Sequence, residues 1–160
     1  RSFTRPEIRT IMDCFSEVIE QVHAKGGLAG IHVCANADWS IILDSQADIL
    51  SFDAYAYFDK LLLFKEGLQS FLDRGGIIAW GIVPTLEPED IEKETAESLF
   101  QKLELQLSQL EDLGFDRKHV LNQTLITPSC GTGSLSIKLA EKVLQMTRQV
   151  SDRIRSTLAQ

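Results

Sequence analysis

The chain has 160 residues, 44% of them hydrophobic and 24% charged, which is the composition of one globular domain and excludes disordered and fibrous classes. Its formal charge of −7, with no cluster of Lys and Arg, argues against a nucleic-acid or anionic-membrane surface, since both are bound through clustered positive charge. No apolar stretch approaches the roughly 20 residues of a membrane span, and the opening RSFTRPEIR has no signal-peptide core.

In chain order, Ile8, Ile11, Phe15, Ile19 and Val22 recur at helical spacing, with Pro6 in the first turn and Gly26-Gly27 as the stop. Cys14, inside this pattern, reads as an inert buried thiol. LAGIHV follows as a strand, NADWSIILDS as a short helix starting near Asn36 or Asp38, and ADILSF as a second strand. The stripe Leu61, Phe64, Leu68 and Phe71 predicts a helix from about Asp59 to Asp73, closed by Gly75-Gly76 before the strand IIAWGIV. In VPTLEPED, Thr85 or Glu87 caps a long helix with Pro88 in its first turn and Ile91, Leu99, Leu103, Leu107 and Leu110 on one face. The charge-rich IEKETAES is its solvated side, and Gly114 ends it. After GFDRKHVL come a fourth strand, NQTLIT, and a glycine-rich turn, PSCGTGS, with Ser134 as a cap. The last helix carries Leu135, Leu139, Val143, Met146, Val150 and Ile154.

This is an α/β chain, a single domain over 1–160 in which a helix precedes four strand-helix units. Near-continuous apolar strands joined by helices imply a parallel sheet with right-handed crossovers. An open doubly wound sheet fits this length, whereas a closed (β/α)8 barrel needs about twice as much chain and would make these units its half. In either architecture functional groups are expected at the C-terminal edge of the strands. The chain begins at Arg1 and enters a helix almost at once, as a piece of a longer product would.

Each strand ends distinctively. The first ends in His32 and Cys34, which alternation puts on one face; the second in Ser51-Phe52-Asp53; the third in Trp80-Gly81-Ile82-Val83-Pro84; the fourth in Thr127-Pro128-Ser129-Cys130-Gly131. His32, Cys34, Asp53 and Cys130 on one edge match a zinc ligand set of thiolates, imidazole and carboxylate. Taken singly, each has a plain reading: His32 and Cys34 as half-buried strand residues, Cys130 as a small packing residue, Asp53 as a helix cap or loop charge. Their convergence is the argument for a metal. Three cysteines this far apart do not make a disulfide framework, so a reducing, cytoplasmic setting is expected.

CGTGS is either a tight turn before a helix or a backbone anion site; it is neither a P-loop nor a GxGxxG fingerprint. Ser51, Trp80, Ser129 and Gly131 are candidate substrate contacts, while Trp39, Tyr55 and Tyr57 either line a pocket or pack as core and rim. His23 and His119 have no partner pattern and read as surface or capping residues.

The His32-Val33-Cys34 motif, the carboxylate in ILSFDAYA and Cys130 in ITPSCGTGS resemble the C-terminal catalytic barrel of cobalamin-independent methionine synthase. They also resemble the zinc methyltransferases acting on coenzyme M, within the superfamily that includes uroporphyrinogen decarboxylase. The resemblance runs from Ala29 to the last helix. It implies the C-terminal half of a (β/α)8 TIM barrel, with Zn2+ on His32, Cys34 and Cys130, and with Asp53 standing where the family has a glutamate. The metal would hold a thiol such as homocysteine as thiolate for attack on a methyl group. Folate-using members carry a histidine after the third unit's strand that assists protonation of the leaving group. WGIVPTLEP has none, which points to a methyl-corrinoid or corrinoid protein as donor.

The alternative is a non-catalytic or decarboxylase-like barrel fragment with a structural or absent metal. A polycarboxylate substrate needs basic residues at the strand ends, and Arg74 and Lys60 fall on helices instead. A half-barrel leaves an apolar sheet edge unpaired, so a missing barrel half or a homo-oligomer is expected.

Overall fold

A computed structural model describes residues 5–158. Helix α1 (Arg5–His23) is followed by strand β1 (Gly30–Val33), helix α2 (Trp39–Leu43), strand β2 (Ile49–Phe52) and helix α3 (Ala54–Leu61). A 3-10 turn (Leu62–Phe64) leads into α4 (Lys65–Asp73), then β3 (Ile77–Val83), α5 (Pro88–Lys93), α6 (Ala96–Asp112), α7 (Arg117–Asn122), β4 (Thr124–Pro128) and α8 (Ile137–Leu158). No described helix is long and apolar enough to cross a membrane.

The expected parallel sheet is present, in the order β1-β2-β3-β4. Doubly wound sheets reverse strand order at a switch point, whereas this one advances without reversal. Right-handed crossovers then put the connecting helices on one face, the arrangement of a barrel wall, and the sheet is compatible with a partial barrel.

Alternation decides what each face buries. Val33, Leu50, Phe52, Ile78, Trp80 and Ile82 enter one core with Leu68, Phe71, Leu103 and Val143 from the helices. The opposite parity carries His32, Ser51 and Leu125 across the sheet, with His32 exposed, Ser51 half-buried and Leu125 48% exposed. The register sets His32 beside Ser51, Ser51 beside Ala79 and Ala79 beside Leu125.

Several local expectations need correction. The helix expected over residues 59–73 starts at Ala54 and is broken by the 3-10 turn. The long helix after Pro88 is two helices, because Thr95 is extended and caps α6 afresh: its hydroxyl accepts from the Ser98 N–H, and the Ser98 hydroxyl accepts from the Thr95 N–H. GFDRKHVL contains α7, capped by Asp116, whose carboxylate accepts from the His119 N–H. Ser136, not Ser134, caps α8 through the Leu139 N–H. Cys14 is exposed, whereas Ile19 and Val22 nearer the end of α1 pack on Ala29, Ala47 and Ile31. His23 does have a partner: its Nε2 lies 2.7 Å from Asp48 Oδ2 and ties the end of α1 to the start of β2.

Candidate metal centre

All the predicted ligands stand at the C-terminal ends of strands: His32 within β1, Cys34 one residue past it, Asp53 one residue past β2 and Cys130 two residues past β4. The first and the last of these strands are the outer pair of the sheet. Three strand spacings, about 14 Å of flat sheet, would separate their ends. Instead, one ligand atom each from His32, Cys34 and Cys130 lies within 4.8 Å of the others.

Part of that closure is visible at β3. A Cβ on Gly81 would stand 2.2 Å from the Phe52 carbonyl oxygen and 2.9 Å from Ser129 Cα. Only a bare backbone lets the end of β2 and the segment after β4 approach β3 this closely. The β3–β4 register shifts between Gly81 and Val83, and the Ser129 N–H donates to the Val83 carbonyl at 2.8 Å. Cys130 is thus carried inward over the sheet edge and not outward along its own strand.

The imidazole is oriented from the neighbouring strand. His32 Nδ1 lies 2.9 Å from Ser51 Oγ, so with Nδ1–H donating to that hydroxyl, Nε2 presents its lone pair to a ligand. Ser51, expected among the substrate contacts, is the hydrogen-bond partner of the His32 ring. Cys34 and His32 are exposed and Cys130 is half-buried, which leaves the group open to solvent on one side. Partial desolvation, followed by the charge of Cys130 and a hydrogen bond with its thiol, pushes the Cys34 thiol above its ordinary range. A cation would reverse that trend by favouring both thiolates.

The donor set fits a soft divalent ion. Tetrahedral zinc with Zn–S of about 2.3 Å and Zn–N of about 2.0 Å needs donors about 3.5–3.8 Å apart, so donors within 4.8 Å require only small side-chain rotations. Two thiols and one imidazole select zinc over magnesium or calcium, and three protein donors leave a fourth position for an exchangeable ligand.

Asp53 stands outside this group. It is buried and caps α3, its Oδ1 accepting from the Ala56 N–H at 2.9 Å. Burial raises its carboxyl above the usual range, opposed by the Ala56 and Tyr55 N–H groups and by the charges of Lys102 and His32. Asp53, expected as the fourth ligand, is not among the three donors that converge, although its charge acts on Cys34; one of its oxygens is used as the cap that an Asp in that position ordinarily provides.

Trp80 is also placed elsewhere. It is fully buried on the helix-facing side, stacked on Phe58 with ring centroids 5.5 Å apart, and its Nε1–H donates to Gln106 Oε1 at 2.7 Å. Trp39 is likewise core, edge-on to Phe52. Tyr55 sits at the rim, with its hydroxyl donating to Glu94 and Lys102 Nζ 3.7 Å from the centre of its ring. Ser129 is buried and Gly131 exposed on either side of Cys130. Thr85 carries a contact that the sequence does not announce. Its hydroxyl lies 3.0 Å from that of Ser129, and both residues are buried.

No protein-family description matches the chain, and neither a curated protein nor a solved structure matches it.

Proposed function

We propose that the chain is the C-terminal half of a (β/α)8 barrel that transfers a methyl group to a thiol such as homocysteine, with zinc held by His32, Cys34 and Cys130. The supporting observation is the convergence of those three donors from the two outer strands onto one open point. A structural zinc site is closed by four protein ligands, whereas this group has three and faces solvent.

Bound zinc would supply Lewis acidity, keeping the substrate sulfur as thiolate at neutral pH. The protein's own groups do the rest. With Nδ1–H donating to its hydroxyl, Ser51 would hold His32 in the tautomer that leaves Nε2 free, and Cys34 and Cys130 would contribute negative charge that keeps a bound sulfur nucleophilic. The thiolate sulfur forms a bond to the methyl carbon as the bond from methyl to donor breaks, and the donor keeps the electron pair. A methyl-corrinoid donor would lose its methyl group and be left as Co(I), which needs no proton, whereas a methyl-folate nitrogen would need one. At the end of β3 stand Val83, Pro84 and Thr85, none of which titrates, so the corrinoid is the preferred donor.

The decarboxylase-like alternative is disfavoured by Arg74. Its guanidinium donates to the carbonyls of Leu43 and Ala47, at 3.3 and 3.1 Å, far along the chain from the strand ends it would have to serve. Completion of the barrel by a further half or by a second copy would cover the outer edges of β1 and β4, the 48%-exposed Leu125 and the exposed Phe15 and Val18 of α1.

The test loads the chain with Co2+ in place of zinc and adds homocysteine. One metal per chain and a strengthened thiolate-to-metal absorption band on adding the thiol are expected. Methyl loss from methylcobalamin, and not from methyltetrahydrofolate alone, is expected once the barrel is complete. A chain that takes up no metal, or whose spectrum ignores homocysteine, overturns the reading.

A further inference from the structure

Thr85 stands in the loop after β3, which contributes no ligand, and the helix that follows is capped at Glu87 without a side-chain bond from Thr85. The threonine is nevertheless 4% exposed and its hydroxyl faces that of Ser129, itself 2% exposed, at 3.0 Å. Ser129 immediately precedes Cys130. Its backbone is held as well, by the N–H bond to Val83 and by the bare Gly81 beneath its Cα. The segment carrying the third donor is therefore pinned to β3 by backbone, by side chain and by shape. Cys34 follows β1 in an exposed segment, where the Asp53 N–H donates to the Val33 carbonyl at 3.2 Å, but among the described residues no buried side-chain pair stands beside it.

We propose that Thr85 is a positioning residue for Cys130, acting through Ser129 to hold its thiol within reach of His32 and Cys34. The inference rests on the metal reading above but concerns a residue that reading does not use. A buried hydroxyl pair suits this role because each group is the other's partner and neither has water to turn to. Rotating Ser129 out would orphan Thr85, so the cysteine beside it has one favoured placement.

The test compares Thr85→Val, which keeps shape and removes the hydroxyl, with Thr85→Ser, which keeps the hydroxyl. A Thr85→Val/Ser129→Ala double variant removes both polar groups and with them the desolvation penalty, so its melting temperature returns toward that of the parent. Zinc affinity by chelator competition should fall about 10- to 100-fold in Thr85→Val and in the double variant, and recover in Thr85→Ser. In the metal-free chain, the alkylation rate of Cys130 relative to Cys34 should rise in the same two variants and not in Thr85→Ser. Unchanged affinity and alkylation in the double variant overturn the proposal, as does equal loss in Thr85→Ser and Thr85→Val. If the parent chain binds no zinc, the metal reading fails, and the alkylation ratio alone decides whether Thr85 positions Cys130.

Discussion

Ser51 Oγ stands 2.9 Å from His32 Nδ1, so a residue of β2 sets the direction in which β1 presents its imidazole. The contact follows from the register, which places the two residues side by side on the open face. Ser51→Ala should lower zinc affinity about 10-fold or more by releasing the ring and its tautomer, with the far-ultraviolet circular dichroism unchanged. Chelator competition on parent and variant measures this, and equal affinities would show that His32 is oriented by something else.

Loss of either thiolate leaves two donors. Cys130→Ala should take the metal content from one ion per chain to a trace by elemental analysis. Because the Cys34 thiol lies above its ordinary range, it is protonated at neutral pH in the metal-free chain and must release that proton on binding. Apparent zinc affinity should therefore climb as pH rises from 6 to 8. Calorimetry in buffers of different ionisation enthalpy should report proton release, and pH-independent binding would contradict thiolate ligation.

Gln106 is buried and bridges Trp80 Nε1–H to the Ala54 carbonyl, each at 2.7 Å. Gln106→Leu keeps the volume and orphans both partners, at a cost of about 2–4 kcal/mol in unfolding free energy. Chemical denaturation followed by tryptophan fluorescence checks it. The variant should retain metal binding at temperatures where it is folded, since Trp80 belongs to the core and not to the metal group.

Asp48 accepts from the Ala29 N–H at 2.7 Å and pairs with His23, and those bonds hold its carboxyl below the ordinary value of 3.8. A lowered folded-state pKa means the unfolded chain takes up the proton first as pH falls. The contribution is thus complete above that ordinary value and is lost as pH drops through the folded one. Asp48→Ala should cost about 1–2 kcal/mol at pH 7, and the gap from the parent should close below about pH 3.8. Urea melts of both chains across that range read the difference directly.

The four strands in their order, the parallel sheet and the edge on which the site sits were legible from periodicity, because burial on one face imposes a period that local residues display. The shared face of His32 and Cys34 follows from the same period. Two structural roles had local signals that were outweighed. Thr95 and Ser98 spell a capping box inside what looked like one charged helix face, and Asp53 precedes AYAYFDKL as an N-cap. Cys14 and Trp80 had no such signal. Nothing near Cys14 says that its side of α1 stays exposed while Ile19 and Val22 pack, and alternation alone does not say which face of β3 meets the helices.

The sequence by itself determined which side chains could bind a metal and which end of the sheet would carry them, since residue type and alternation are local properties. Only the tertiary structure decided that His32, Cys34 and Cys130 meet while Asp53 turns to its own helix. That outcome depends on how closely Phe52 and Ser129 pass Gly81, and on Thr85 finding Ser129 at 44 residues' separation. Such close approaches are set by packing between distant segments, and no local pattern encodes them.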